Sequence, residues 1–525
     1  MKKILSSVLF SLLALGATAA NSGYNIKLTV DNAGLRNKKV YLAFYFNGKT
    51  YSKDTTLLNA KGVGAFSGKK PLEQGDYLVY FDSNKFFDVL VGSDQNIQIK
   101  ADTSKLDKVE VTGAKESADF QTLMNFMADH HKKQMDLVKQ HKDKKIDSLA
   151  FSNGLDKLSD EVTAYQKQLM DAHKGDWLEA FVKGTIPVDV PDYKELPDST
   201  RELTRYMFKK HHYFDNINLS DPRFLRTPYF PPMVDSYMSK FLIQHPDTLY
   251  KAAEFLIEKS RYNKETFQTM CSKMINYGLT SNQMGMDALW SKIAEKYYLT
   301  EPRQATWADS SWVEDLRKED RKVKYNLIGM QARDLRMKDA DGKTVVLSEV
   351  LKDPANKFML VYFFEPTCGH CRKTTPVLHD SVYSKFHKLG FEVFAVYTQT
   401  DKKEWQEFVE KDKLQDWVNV WDPDRESYFW EFYDATVTPG IYLLDKTGKI
   451  IAKKIDMSTL DMILTEELIK RPAAELKKKD GNTTYSETQK KNSDQKVKTF
   501  NNTEKKSGKE NKTIQKKDQL KDIFK

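Results

Sequence analysis

The sequence predicts a multidomain α+β protein with an N-terminal antiparallel β-sandwich or barrel, a central all-α domain and a C-terminal α/β domain. Three patterns carry this. Apolar residues alternate with period two through residues 23 to 112, helical periodicity with few strand signals runs through 115 to 320, and strand and helix signals alternate from 325 to 470. The length of 525 residues suits this division, at roughly 150 residues per domain. The expected domains are residues 21–113 (β-rich), 114–322 (helical) and 323–472 (α/β), with flanking segments 1–20 and 473–525.

Residues 1–20 have the layout of a secretory signal peptide. Lys2 and Lys3 form a charged start, Ile4 to Leu15 an apolar run too short to span a bilayer comfortably, and Ala17-Thr18-Ala19-Ala20 a cleavage region of small residues. No Cys follows that region, which argues against a lipoprotein anchor. The expected location is the periplasm or cell envelope, with no stable membrane insertion after signal cleavage.

The β-rich domain rests on Tyr24 to Val30 and Lys39 to Phe46, which alternate, and on Asn47-Gly48, a strong hairpin signal. Short strands are expected at Gly62 to Phe66, Asp76 to Phe81, Phe86 to Val91 and Asn96 to Ile99. Long amphipathic helices are expected at Ala118 to His141 and Ile146 to His173, with others at Asp247 to Glu258, Lys264 to Tyr277 and Ser281 to Tyr298. Between them, the aromatic, Pro-punctuated stretch from Tyr213 to Pro232 predicts a long surface loop.

In the third domain Val345 to Leu347 follows an Asp341-Gly342 turn, and Phe358 to Phe364 is a continuous apolar run of the kind found in buried central strands. A helix from Gly369 to Leu389 follows. Next come strand Phe391 to Tyr397, helix Lys402 to Lys411, strand Val418 to Trp421 and helix Arg425 to Tyr433. Strands Gly440 to Leu444 and Lys449 to Ile455 and helix Thr459 to Lys470 complete it.

The formal charge of +9 lies outside these domains. The Lys-rich segment 473–525 holds +7 and Lys2 and Lys3 the rest, so residues 21–472 are neutral overall and no nucleic-acid partner is expected. That segment has ten hydrophobic residues in 53 positions, too few to bury a core, and reads as a disordered tail. A mean hydropathy of −0.63 excludes a polytopic membrane protein. Three cysteines exclude a disulfide-stapled scaffold.

Two of those cysteines form Cys368-Gly369-His370-Cys371, placed where a buried strand ends and a helix begins. Unpaired N–H groups at a helix start favour a thiolate at Cys368, and His370, Arg372 and Lys373 add positive charge. Cys371, one turn inward, is expected to be more buried and to remain a thiol. A closed zinc site needs four ligands and this motif supplies two. The third cysteine, Cys271, stands far upstream within a helix and reads as a small buried hydrophobe, with a redox role beside Cys368 as the alternative. The adjacent pairs His130-His131 and His211-His212 point to different helix faces. No metal or cofactor is expected.

The segment Phe363-Phe364-Glu365-Pro366-Thr367-Cys368-Gly369-His370-Cys371-Arg372-Lys373 resembles the active-site segment of thioredoxin-like proteins, and within them the exported TlpA/ResA-like, redoxin-type oxidoreductases. Pro376 matches the proline of the thioredoxin active-site helix, and Thr438-Pro439 matches the cis-proline before a strand. Ile328 to Ser348 is similar to the N-terminal β-extension of the redoxin branch. The upstream regions resemble the β-domain and helical domain often fused to such proteins. The resemblance implies a thioredoxin fold for 323–472, Cys368 as nucleophile, Cys371 as resolving thiol, a Cys368–Cys371 redox disulfide, and substrate contacts at Thr438, Pro439, Gly369 and Pro366. It also implies protein disulfide or thiol substrates and a membrane or periplasmic dithiol donor.

Two positions depart from the pattern. Tyr362 stands where thioredoxin has a buried Asp, and Thr374 where the ResA-like group has a Glu. Glu365 and His370 are the remaining acid/base candidates. Thr is absent three positions before Cys368, so the peroxiredoxin pattern is not met. The expected activity is an exported thiol–disulfide oxidoreductase reducing protein disulfides. A disulfide isomerase or oxidase, or a non-enzymatic envelope binding module using the N-terminal domains, are the alternatives.

Overall fold

Period-two burial sets the N-terminal sheets. In the computed structural model, which describes residues 23–472 except Ser83, Asn84, Asp107 and Asn282, β1 (Tyr24–Val30) turns Ile26, Leu28 and Val30 inward. The signal-peptide segment and the Lys-rich tail lie outside the described residues. The chain divides into two compact units, with the division between Asp235 and Ser236.

In the first unit β1 is followed by β2 (Lys39–Phe46), β3 (Lys49–Leu57), β4 (Val63–Gly68), β5 (Gly75–Asp82), β6 (Lys85–Val91), β7 (Asn96–Ala101) and β8 (Glu110–Gly113). They form two four-stranded sheets, ordered β4-β1-β7-β8 and β3-β2-β5-β6. Asn47 and Gly48 join β2 to β3 with φ of 46° and 81°, the two positive values that a tight hairpin turn demands. The pairing is antiparallel with one correction to expectation: β1 and β7 run parallel, Ile26 opposite Ile97 and Leu28 opposite Ile99. Inward residues of both sheets, among them Leu28, Val40, Val79, Val89 and Ile99, make one apolar interior.

The helices of this unit are α1 (Lys115–Lys142), α2 (Ser148–Ala172), α3 (Trp177–Thr185), α4 (Asp198–His212) and α5 (Phe230–Ser236). The stretch 213–232 is more ordered than the expected loop. Pro222 opens a 3₁₀ turn, Pro222–Arg226, capped by the Asp221 side chain. Pro231 and Pro232 lie in the first turn of α5. At those positions proline costs no helical hydrogen bond, so these prolines start helices rather than break them. Phe224 and Leu225 are buried, and the Leu225 carbonyl accepts from the Asn47 N–H at 2.8 Å.

The second unit begins with α6 (Pro246–Lys259), α7 (Lys264–Leu279), α8 (Asp287–Ile293) and α9 (Ser310–Val323). Next come β9 (Arg336–Lys338), β10 (Thr344–Val346), α10 (Leu347–Leu351), β11 (Phe358–Phe364), α11 (Gly369–Val377) and α12 (Ser384–Phe386). The last elements are β12 (Phe391–Tyr397), α13 (Lys402–Lys411), β13 (Val418–Trp421), α14 (Phe429–Phe432), β14 (Gly440–Asp445), β15 (Ile450–Lys453) and α15 (Met457–Thr465). One seven-stranded sheet has the order β10-β9-β13-β12-β11-β14-β15. β11, β12 and β13 are parallel, while β14 is antiparallel to β11. Helices on both faces bury β11 and β12, hence the unbroken apolar run of β11 and, apart from Glu392, that of β12.

The helix expected over 425–433 is shortened to α14. The Asp422 carboxylate accepts from the N–H groups of Glu426 and Ser427 at 3.0 and 2.9 Å. Arg425 and Tyr428 sit at φ of 56° and 52°, and such left-handed residues cannot propagate a helix. Likewise the helix expected from Ser281 begins only at Asp287, after Gly285 at φ 87°. No helix among the described residues is long and apolar enough to cross a membrane.

Candidate active site

The central strand β11 ends at Phe364 and hands the chain to a short turn that delivers Cys368 to the start of α11. Cys368 is the N-cap, with extended φ and ψ of −69° and 119°. Its N–H donates to the Glu365 carbonyl at 3.1 Å, and its own carbonyl accepts from Arg372 N–H at 3.1 Å. The side chain is partly exposed. Cys371, one turn on, is fully buried in the apolar interior with Tyr362, Phe364 and Leu378. Strand end and helix start therefore separate the thiols by environment: one at the surface, one inside.

The loop before β14 closes over them. Thr438-Pro439 is a cis peptide, and the Cys368 Sγ donates to the Thr438 carbonyl at 3.3 Å. Hydrogen bonding from the Thr438 side chain, aided by the N–H groups of Cys371 and His370, holds the Cys368 thiol below its ordinary value. Burial pushes Cys371 the other way, up to about 11, partly opposed by the Glu365 N–H. The pair is thus asymmetric, an accessible thiol biased toward the thiolate and a sequestered one biased against it.

The other sequence candidates divide. The Glu365 carboxylate accepts from the Thr367 hydroxyl at 2.6 Å, so it braces its own turn, and it is the backbone N–H of Glu365 that faces Cys371. His370 is exposed on the first turn of α11. Gly369 is exposed with open space around its missing side chain, and Pro366 is buried beneath the turn. Arg372 donates to the Thr367 carbonyl at 3.4 Å. Pro376 lies inside α11.

Cys271 is fully buried on α7, outside the apolar cluster that holds Cys371, and burial pushes its thiol up to about 12. His130 pairs with Glu161 at 2.8 Å and His212 with Asp215 at 2.6 Å. Among the described residues no group of three or more His, Cys, Asp or Glu side chains could hold a metal.

One arrangement was not legible in the sequence. Tyr362, at the position where the resemblance predicts a carboxylate, is fully buried, and its hydroxyl lies 2.9 Å from Thr375 Oγ1, also fully buried. The available signal was Thr375 itself, four residues after Cys371 and so on the same helix face.

Three family models match the chain: the AhpC/TSA family over residues 328–453, a Domain of unknown function (DUF5106) over 155–330 and another (DUF4369) over 24–120. No curated protein matches. Among solved structures, the chain is 33% identical to a domain of a possible thiol-disulfide isomerase from Cytophaga hutchinsonii, covering 28% of this chain and 97% of that one with a TM-score of 0.25. It is 30% identical to the thioredoxin domain of a thiol-disulfide oxidoreductase from Bacteroides vulgatus, covering 27% and 97% with a TM-score of 0.25. A thiol:disulfide interchange protein from Bacteroides sp. is 26% identical over 27% and 91%, with a TM-score of 0.24.

Proposed function

The chain belongs to the thioredoxin superfamily as a TlpA/ResA-like, redoxin-type oxidoreductase, and from that premise we propose that it is exported and reduces protein disulfides through Cys368 and Cys371. The observation that carries this reading is the asymmetry of the two thiols one turn apart, Cys368 accessible and biased to the thiolate, Cys371 buried and biased to the thiol.

In the reducing direction the Cys368 thiolate attacks a substrate disulfide. One substrate sulfur leaves as a thiolate, and Cys368 is held to the other in a mixed disulfide. Cys371 then loses its proton and attacks Cys368 Sγ. The bond between Cys368 and substrate breaks, its electron pair leaves with the substrate sulfur, and the Cys368–Cys371 disulfide remains. Two electrons have passed to the substrate, and a membrane or periplasmic dithiol donor restores the pair. The Thr438 backbone, 3.3 Å from Cys368 Sγ, lies where an extended substrate segment would pair. Gly369 and Pro366 leave the approach open and shape its floor.

Export rests on the signal-like layout of residues 1–20. The deciding experiment is the reduction potential of the couple, measured on the mature protein against glutathione and dithiothreitol buffers. A value near about −270 mV supports a reductase. A value between about −180 and −120 mV supports an isomerase or oxidase, the direction in which exposed His370 pulls, and redirects mutagenesis to His370. Absence of a reversible couple overturns the dithiol reading in favour of a binding module built on the N-terminal domains.

A further inference from the structure

The resolving step asks the most of Cys371. Burial holds its proton on, with the thiol pushed up to about 11, yet that sulfur must carry negative charge as it attacks. An unpaired charge in an apolar interior is costly, so something must stabilise it. The nearest carboxylate in sequence, Glu365, is engaged by the Thr367 hydroxyl at 2.6 Å. The Glu365 N–H and Thr438 oppose the rise from the side of the turn, and the interior side holds the paired hydroxyls of Tyr362 and Thr375.

Tyr362 is fully buried on β11 in the same interior as Cys371, and the neighbouring Cys371 sulfur adds to the rise of its hydroxyl. That hydroxyl lies 2.9 Å from Thr375 Oγ1. Thr375 follows Cys371 by one helical turn and is fully buried, so the thiol and both hydroxyls lie on the inner side of α11, among an interior that includes Phe364, Leu378 and Trp417. Either hydroxyl can donate to the other. While Cys371 is a neutral thiol, Tyr362 can donate to Thr375. When charge develops on sulfur, Tyr362 can turn its proton to the sulfur and accept from Thr375 instead.

We propose that Tyr362 is a catalytic hydrogen-bond donor to the Cys371 sulfur in the resolving step, with Thr375 as the positioning residue that lets its proton swing. This deepens the reading of Cys368 and Cys371 as a working dithiol and rests on it. Tyr362 is not a base. Burial, and the neighbouring sulfur after it, hold its hydroxyl far above its ordinary value, so it keeps its proton throughout. The Cys371 proton passes to the departing substrate thiolate by way of solvent: a substrate–Cys368 disulfide and a Cys371 thiol become a Cys368–Cys371 disulfide and a substrate thiol.

The test is stopped-flow reaction of the reduced full-length protein with 5,5′-dithiobis(2-nitrobenzoate). Attack by Cys368 releases one thionitrobenzoate, and resolution by Cys371 releases a second, so each protein sample carries its own control. The expected result for Tyr362→Phe is a first release within about twofold of wild type and a second slowed roughly tenfold or more at pH 7, with its pH midpoint moved upward. Thr375→Val should slow the second release less, and Thr375→Ser should restore it. Wild-type second-phase rates and an unmoved midpoint in both Tyr362→Phe and Thr375→Val overturn the proposal. If Cys368→Ser leaves the first release intact, the dithiol reading itself fails, a result distinct from the failure of the Tyr362 proposal. Should Tyr362→Phe not fold, the Thr375 pair decides alone, and equal second-phase rates in Thr375→Val and wild type overturn the proposal.

Discussion

Lys453, at the end of β15, forms an ion pair with Asp287 at the start of α8, and both side chains are largely out of solvent. The same ammonium donates to Asn326 Oδ1 at 2.7 Å. The Asn326 amide in turn donates to the carbonyls of Lys322, at 2.7 Å, and Phe432, at 2.9 Å. A strand of the sheet, two helices of the preceding helical segment and the α14 turn thus meet on one buried polar node. This explains why α6 to α9 and the seven-stranded sheet belong to one compact unit. Burial lowers the Lys453 pKa, and Asp287 opposes that shift.

Removing one partner should therefore hurt more than removing both. Asp287→Asn strands the buried ammonium, and the expected loss is about 3–5 kcal/mol of stability for such a broken pair. Lys453→Met with Asp287→Leu removes both charges and should recover most of that loss. Urea denaturation of the single and double variants measures the difference. A double variant as unstable as Asp287→Asn would mean that the node acts through Asn326 rather than through the charge pair.

The Cys368 and Cys371 thiols should be displaced in opposite directions from the ordinary thiol range. Cys368 lies below its ordinary range and Cys371 near about 11. At pH 7 iodoacetamide should label Cys368 first and leave Cys371 and Cys271 untouched in the folded protein. Labelling of Cys371 should emerge only above about pH 10 or on unfolding. Peptide mass spectrometry across a pH series checks the order. Equal labelling of both at pH 7 would show that the burial difference does not control reactivity.

Much of this was legible in the sequence, for a physical reason. β12, α13 and β13 begin and end where the pattern places them, because strands inside a sheet covered by helices are dominated by apolar residues and a capped helix announces its start. Asp401 caps α13 in that way, accepting from the N–H groups of Lys403 and Glu404. The strand-to-helix position of Cys368 followed from the same logic. Misread segments are those where a side chain overrides local pattern. Asp422 captures backbone N–H groups that a helix over 425–433 would need. Pro222, Pro231 and Pro232 start helices where proline usually signals a break. Strand β8 has only Val111 turned inward, too little to stand out as a pattern. The contact between Tyr362 and Thr375 joins a strand to a helix, and period and propensity along one element cannot reveal it.

A second pH-dependent site lies among the helices. Asp320 on α9 is buried, accepts from Ser291 Oγ at 2.5 Å and faces Glu295, while Lys324 reaches Glu295 at 3.0 Å and Asp320 at 3.8 Å. Burial raises Asp320 to about 6 from an ordinary 3.8, with hydrogen bonding to Glu295 adding to the rise. Glu295 is lowered, because Asp320 and Lys324 donate to it, against its own burial. A group raised in the folded state stabilises it fully below its unfolded value and loses that contribution as pH rises through its folded value. The Asp320 contribution should therefore be present near pH 4 and gone above about 6. Asp320→Asn locks in the neutral form, so it should match wild type near pH 4 and exceed it at pH 7.5 by on the order of 1–2 kcal/mol. Thermal melts at the two pH values measure this. A variant less stable than wild type at both would point to Lys324 as the dominant partner of Asp320.

Thr438 contributes to the Cys368 site in two ways that a single substitution can separate. Its carbonyl accepts from the Cys368 thiol at 3.3 Å, a contact that exists only while the thiol keeps its proton. Its side chain acts in the opposite sense and is the first cause of the lowered Cys368 value. Thr438→Val keeps the shape, the backbone carbonyl and Pro439 but removes the hydroxyl. With the thiol-favouring contact intact and the thiolate-favouring one gone, the Cys368 value should move up. Thiolate at pH 7 should fall, and iodoacetamide labelling of Cys368 should slow several-fold at pH 7. At pH 10, where both proteins are ionised, the rates should converge. Convergence at high pH is the informative part, since a distorted loop would slow labelling at every pH, whereas a lost hydrogen bond slows it only where the protonation state is in play.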